Sequence, residues 1–405
     1  MKKFIFFLMF FLIYDLFACT TAIISGKFTT NGRPLLLKHR DSDHLQNKLM
    51  FFNDGEYEYI GLVNSDDING DEVWGGVNSE GFAIINSASY NMKDRNDTTT
   101  LKDKEGVVMK RALQECSTVD DFENLLKEYD KPIGVEANFG VIDAHGGAAY
   151  FETNNFSYKK FDVNEPSNAP FGYAIRTNYS FNGTADDGYG YIRYLTAEEL
   201  FYKASEENNL NKKFILQDIS RSLKHSLLDV DYNKNVTISS NDNSFIAFQD
   251  YIVRNNSTST VLIEGVKPDE DPELSTLWTI LGFQFTSVAI PTWVKAGNTL
   301  PDILIADSTG NAPLCNYALK LKNQCFPIKR GSGYRYLKLS KVINKEGKGF
   351  VQVLRPIENE IIYETDKKLK QWRSINNLPI EEVHNLYRWI NKMVKKTYKD
   401  NFGLQ

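Results

Sequence analysis

Cys19 stands directly behind Leu16-Phe17-Ala18, and a chain cut after Ala18 begins with a cysteine carrying a free α-amine beside its own thiol. An α-amine has an ordinary pKa of roughly 7.7–8, so it can take the thiol proton near neutral pH and serve as the base. This is the general recipe for covalent acyl transfer by an N-terminal nucleophile: thiolate attack, a thioester, then release. The five histidines, at positions 39, 44, 145, 225 and 384, fall in no Cys-His protease signature, which leaves the amine as the better candidate base. The same cysteine admits a second chemistry. Leu16-Phe17-Ala18-Cys19 also reads as a lipobox, whose thiol would take a diacylglycerol and anchor a surface binding protein. A lipidated cysteine calls for a polar, flexible tether, however, and Thr20-Thr-Ala-Ile-Ile24 is a β-branched run that reads as a buried strand.

Ahead of the cysteine, Lys2 and Lys3 precede a short apolar run, so residues 1–18 read as a secretory signal. A permanent span needs about 20 apolar residues, and Asp15 interrupts this one; no later segment reads as a transmembrane helix. The expected product is exported, periplasmic or secreted, with a lipid anchor as the alternative. It comprises residues 19–405 as a single domain with a helical C-terminal segment.

These chemical groups need a scaffold, and the composition supplies one. With 405 residues, 42% of them hydrophobic and 24% charged, the chain can bury a sizeable core and is not disordered. A net charge of −5 offers no basic surplus for nucleic acid. Four cysteines are too few for a disulfide scaffold; Cys315 and Cys325 leave one bridge open, and Cys116 reads as a small buried hydrophobe on a helix. Strands are expected at 20–27, 33–40, 57–63, 82–87, 138–143, 148–153 and 171–177, and again at 258–264 and between 274 and 293. Helices are expected at 106–128, 190–207 and 213–228. The acidic loop at 267–272 and a basic helix near 381–399 read as surface features.

Asn31-Gly32 predicts a tight type I′ hairpin joining the first two strands. That register sets Asp41 opposite Ala22, about 10 Å from Cys19 and on the wrong face, unless a bulge or a strand end near residues 38–41 closes the gap.

Cys19-Thr-Thr, the turn at Gly32 and Lys38-His-Arg-Asp41 together resemble the opening of the linear amide C–N hydrolases. These are N-terminal nucleophile cysteine hydrolases, a superfamily that includes choloylglycine hydrolase, penicillin V acylase and the isopenicillin N acyltransferase-like peptidases. Further matches follow in order: Trp74-Gly-Gly-Val-Asn78-Ser-Glu-Gly81, Asn138-Phe-Gly-Val-Ile-Asp143 with Ala148-Ala-Tyr-Phe-Glu152, Ala174-Ile-Arg-Thr-Asn178, and Tyr191-Ile-Arg193-Tyr194. The resemblance implies an α+β fold, a four-layer αββα sandwich of two antiparallel sheets between helix layers.

It also implies that Asp41 orients the new α-amine, that Asn178 is an oxyanion donor and that Arg193 belongs to the charge network. A second donor is implied at a backbone N–H among Asn86, Ser87 and Ala88. Lys38 stands where bile-salt enzymes carry an arginine, and Arg40 is the alternative cation beside the thiol. On their residues alone, Asn178-Tyr-Ser180 also fits a turn or a glycan acceptor, and Arg193 also fits a surface ion pair. The activity so implied is cleavage of a small-molecule linear amide: a bile salt, an N-acyl amino acid, a penicillin or a peptide-like amide. No cofactor or metal is called for. Acyl transfer in place of hydrolysis, and a homo-oligomer, stay open.

Overall fold

Strand β1 (Cys19–Ile24) pairs with β2 (Leu35–Asp41), and every residue of both is buried. In the computed structural model, which describes residues 18–93, 97–234 and 236–404, the two lie inside a six-stranded antiparallel sheet. The sheet is completed by β10 (Tyr173–Arg176), β14 (Ser257–Glu264), β15 (Thr276–Leu281) and β16 (Ile290–Thr292), in the order β10-β1-β2-β14-β15-β16. The secretory signal expected at residues 1–18 lies outside the described residues, apart from Ala18.

The intervening chain builds a second antiparallel sheet as a seven-stranded meander: β3 (Asn47–Phe52), β4 (Tyr59–Asn64), β5 (Gly76–Asn78), β6 (Ala83–Ala88), β7 (Ala137–Ile142), β8 (Ala148–Thr153) and β9 (Tyr158–Asp162). Two short ribbons, β11 (Lys224–His225) with β12 (Val230–Asp231) and β13 (Ile246–Ala247) with β17 (Tyr336–Leu337), stand outside both sheets.

The sheets pack face to face, with Leu36, Ile85, Ile142 and Tyr150 in the shared core and the Tyr150 hydroxyl donating to Thr21 Oγ1 at 2.9 Å. On the far side of the meander, α1 (Glu105–Glu115) and α2 (Val119–Glu128) cover a second core in which Phe122 meets Phe82, Phe139 and Phe151. Truncating such a buried ring to alanine typically costs about 3–5 kcal/mol. The six-stranded sheet is covered by α3 (Tyr191–Glu206), α4 (Pro313–Cys325), the short α5 (Leu339–Val342), α6 (Phe350–Ser374) and α7 (Ile380–Phe402). The result is the expected α+β, four-layer αββα arrangement, two antiparallel sheets between helix layers.

Several expectations change. Residues 25–34 form a longer connection than a two-residue turn, so Cys19 pairs with Arg40 and the Asp41 N–H bonds to Ala18 O at 2.9 Å. Only Gly32 of the Asn-Gly pair has positive φ, at 77°, which excludes a type I′ turn needing both. The helix expected at 106–128 is two helices, because Thr118 accepts from Asp121 N and Asp121 reciprocates in a capping box; Cys116 closes the first helix and is buried.

The helix expected at 213–228 shrinks to a π-helical turn at Phe214–Ile219. Beyond it Ser220 Oγ donates to Ile215 O, and the Arg221 guanidinium turns to Leu216 O and Glu358, competing with further helical bonds. The C-terminal helix is no mere surface feature, since α7 buries Val383, Leu386, Ile390 and Val394. Cys315 and Cys325 lie ten residues apart on the single helix α4, about 15 Å along its axis, and cannot bridge. All four cysteines are free and buried.

Candidate active site

Strand pairing decides which charges meet the thiol. Cys19 faces Arg40 across β1 and β2, and Thr21 faces Lys38, so alternation puts Cys19, Lys38 and Arg40 on one face and His39 and Asp41 on the other. The thiol face opens on a cavity of about 870 Å³ whose wall includes Cys19, Lys38, Arg40, Trp74, Asn86 and Ala88. Arg40 donates to Asn47 Oδ1 at 3.0 Å and Asn64 Oδ1 at 2.9 Å, which ties the β3–β4 hairpin to the site. Lys38 Nζ donates to Asn86 Oδ1. The two cations share the Trp74 ring, their charged ends lying 5.5 Å (Lys38) and 4.9 Å (Arg40) from its centroid.

Burial lowers Lys38 to about 7, Cys19 and Glu105 opposing and Arg40 assisting; Arg40 itself falls to about 10, again chiefly by burial. Glu105, at the start of α1 on the same cavity wall, is pushed up to about 7 by burial while its Oε1 accepts from Glu136 N at 3.1 Å.

The opposite face is closed. Ser257 Oγ donates to Asp41 Oδ1 at 2.5 Å, and the His39 Nε2 lies 3.0 Å from the same hydroxyl. A bulge on β14 between Ser257 and Ser259 sets Ser257 directly opposite Asp41. The bulge thus lies on the partner strand, and the distance from Asp41 to Cys19 is closed by the register instead. Burial holds His39 down to about 3, Arg193 adding to the effect, so His39 is neutral and its 3.8 Å approach to Asp41 is not an ion pair. Burial raises Asp41, against the pull of Arg254, Arg193 and Ser257. Among the described residues Asp41 Oδ2 has no hydrogen-bond partner; the Arg254 Nη1 stands 3.7 Å from it.

Asn178 joins the two faces. It follows β10, forms an isolated bridge with Tyr189 and is fully buried. Its Oδ1 accepts from the Cys19 backbone N at 2.9 Å and from Arg193 Nη2 at 2.6 Å, while its Nδ2 donates to Ala88 O at 2.9 Å. Arg193, in the first turn of α3, also donates to Cys19 O at 2.5 Å. Gly190 makes room for it: φ is +87°, and a Cβ there would come within 2.3 Å of Arg193 Nη2. The loop carrying Asn178 is tied down through the buried Arg176–Glu152 pair, Glu152 also accepting from Phe181 N and Asn182 N. Breaking such a pair by removing one partner costs about 3–5 kcal/mol.

The structure therefore gathers Cys19, Lys38, Arg40, Asp41, Asn86, Ala88, Asn178 and Arg193. The side chain of Ser87 turns away to accept from Asn138 Nδ2 at 3.1 Å, and Ser87 is absent from the cavity wall. Arg193 is no surface residue, at 1% exposure. Neither does Asn178 suit a glycan: it is buried, and Ser180 of the same triplet donates to Asn138 Oδ1 at 2.6 Å inside the fold. The Cys19 nitrogen, with Ala18 attached, is held by Asn178 and not by Asp41.

Sequence reasoning missed Arg254, Ser257, Glu105, Asn47 and Asn64 as parts of the site. The two asparagines reach Arg40 from 7 and 24 residues away, and Ser257 reaches Asp41 from 216 away, separations at which no local motif exists. Trp74 opened a quoted motif, and its pairing with two cations was the signal available. Among the described residues no group of three or more His, Cys, Asp or Glu side chains is placed to hold a metal ion.

The profile described as acyl-coenzyme A:6-aminopenicillanic acid acyl-transferase matches residues 29–262. The match covers over half the chain, starts after Cys19 and takes in Asp41, Asn178, Arg193 and Ser257. No curated protein matches significantly in sequence. Among solved structures, the N-acylethanolamine-hydrolyzing acid amidase ortholog of Caenorhabditis elegans aligns at 13% identity over 62% of this chain and 94% of its own, with a TM-score of 0.41. A variant of the conjugated bile acid hydrolase of Clostridium perfringens aligns at 12% identity over 69% and 94%, with a TM-score of 0.38. Penicillin V acylase of Agrobacterium tumefaciens aligns at 11% over 68% and 86%, with a TM-score of 0.36. Likenesses so distant add nothing to the profile match.

Proposed function

Because the chain belongs to the acyl-coenzyme A:6-aminopenicillanic acid acyl-transferase family, whose members are enzymes acting on amides, we propose that Cys19 is the nucleophile of an exported linear-amide hydrolase. The observation that carries this reading is the meeting, at one strand end, of the Cys19 nitrogen, Asn178 and Arg193 beside a cavity walled by two cations.

In this reading, removal of the residues ahead of Cys19 frees its α-amine, which takes the thiol proton. The thiolate attacks the amide carbonyl carbon, a C–S bond forms, and the carbonyl electron pair becomes an oxyanion. Asn178 Nδ2, with one N–H on Ala88 O and a second in hand, and a backbone N–H of the Asn86–Ala88 segment donate to that oxyanion. Collapse breaks the C–N bond, the α-ammonium returns its proton to the leaving amine, and a thioester remains. Water then attacks the thioester, and the acid leaves as the thiol re-forms. Arg40 and Lys38 supply the positive field at the thiol; Asn178 Oδ1 orients the amine, and Asp41, held by Ser257, supports Arg193 from the other face of β2.

The family description favours a second outcome of the same thioester, attack by an acceptor amine in place of water. Bile salts, N-acyl amino acids, penicillins and peptide-like amides stay the substrate classes, and a lipid anchor on Cys19 is the competing reading. Against the anchor stands burial: the residue is 7% exposed within β1, with no tether between the strand and its thiol. No helix of the described residues is long and apolar enough to cross a membrane.

The test joins intact mass and N-terminal sequencing of the exported protein to Cys19→Ser assayed on a panel of chromogenic N-acyl amides. A mature chain beginning at Cys19 with a free amine, and a loss of about a thousandfold or more in kcat/KM for the variant, are expected. Activity of Cys19→Ser within threefold of wild type, or diacylglycerol on the cysteine, ends the proposal.

A further inference from the structure

Helix α4 buries a lysine that makes no direct ion pair among the described residues, Asp41 acting on it only at longer range. Lys322 is 8% exposed, and among the described residues its Nζ makes no hydrogen bond and no ion pair. Its contact is with the face of Phe283, whose centroid lies 5.4 Å away. An unpaired ammonium in such a place is costly unless something answers it. Burial pulls it down to about 8, with Asp41, Cys325 and Cys315 pulling up and Lys329 down, so it stays mainly charged at neutral pH.

Lys322 lines a cavity of about 430 Å³ that meets the thiol cavity at Ser42, a residue of both walls. The remaining wall is mixed: Leu45, Leu319, Phe326 and Ile328 are its apolar part, and Asn255, Asn256 and Asn323 are among its polar residues. Leu45 and Ile328 are 39% and 37% exposed, so apolar surface lies at the opening while the charge sits inside. Lys329 is engaged by Asn323 Oδ1 at 2.8 Å, and Asp43, with a side chain 74% exposed, is the only carboxylate of the wall.

One buried cation beside an apolar strip of Leu319, Phe326 and Ile328 matches an amphipathic monoanion. We propose that this cavity binds a small carboxylate with an apolar body, of the medium-chain fatty acid kind, its carboxylate on Lys322 Nζ and its chain along Leu319, Phe326 and Ile328. Lys322 is one of the charges acting on Asp41, so an anion there changes the field behind the site. Binding itself stands apart from the Cys19 reading; only an effect on turnover rests on it.

Isothermal titration of octanoate and of octanol into the full chain at constant ionic strength tests this, with Lys322→Met, Ile328→Glu and Lys38→Met as variants. Octanoate should bind wild type, octanol at least about tenfold more weakly, and Lys322→Met and Ile328→Glu should each weaken octanoate about ten- to a hundredfold. Lys38→Met, in the thiol cavity, should leave the affinity within about twofold. Lys322→Met should also melt higher, since it replaces a buried unpaired charge by a hydrophobe. If it fails to fold, Ile328→Glu at the exposed rim decides. Octanoate that does not bind by about 10 mM, that binds both cavity variants like wild type, or that loses affinity only in Lys38→Met overturns the proposal, as does octanol binding equally well.

Discussion

The two faces of β2 make opposite uses of adjacent residues. Lys38 and Arg40 point to a cavity, are held only by amide oxygens and an indole ring, and leave their positive charge unneutralised by any ion pair among the described residues. His39 and Asp41, one residue along, point into a closed network where Ser257 fixes the carboxylate and burial strips the imidazole of its charge. Both faces are buried. What separates them is whether the partners neutralise charge: amides orient a cation without cancelling it, so its field remains available to a developing negative charge nearby. The closed face spends its hydrogen bonds on direction instead.

Asn178 bridges the faces, and removing it is the harshest way to break the contrast. Asn178→Ala should lower kcat about 100- to 1,000-fold by deleting an oxyanion donor. It should also lower stability by about 1–3 kcal/mol, since Arg193 Nη2 and the Cys19 nitrogen lose their acceptor in the interior. Turnover near that of wild type would leave Asn178 a purely structural link. A milder cut is Ser257→Ala, which frees the Asp41 carboxylate to rotate. kcat should fall about tenfold with KM nearly constant, and Ser257→Thr should restore most of it. An unchanged kcat for Ser257→Ala would mean that the closed face does not direct the reaction.

The third effect is one of stability, not turnover, and sharpens the open face. Glu105 keeps its proton in the folded chain up to about pH 7, whereas unfolded it ionises from near its ordinary value of 4.5. The unfolded state therefore loses protons first, and stability falls as pH rises through that window. Glu105→Gln should match wild type near pH 4 and exceed it by up to about 3 kcal/mol above pH 7.5, less whatever the Glu105 charge returns to the Lys38 ammonium. Denaturant curves at both pH values read this out; a constant gap would contradict it.

How much of this was legible follows from the range of each signal. β1, β2 and α3 could be read from local alternation and periodicity, and Cys19, Asp41, Asn178 and Arg193 from short motifs in order. The pairing of Cys19 with Arg40 could not, because residues 25–34 close through tertiary contacts, such as Thr30 N to Leu210 O, that no turn rule contains. The break between α1 and α2 was present in Thr118-Val-Asp-Asp121 as a cap and went unread beneath the apolar period. Strand β3 owes its place partly to Asn47 meeting Arg40, and Ser257 to a bulge, both properties of an assembled sheet.

The four thiols carry a consequence for counting molecules. Burial pushes Cys116 and Cys315 up to about 12 and drives Cys325 upward too, and none of the three lines the thiol cavity. Cys19 does line it. A mild alkylating reagent small enough to enter should thus take up one equivalent per native chain and four per unfolded chain, which turns the ratio of the two uptakes into a titre of competent protein in any preparation, independent of knowing the substrate.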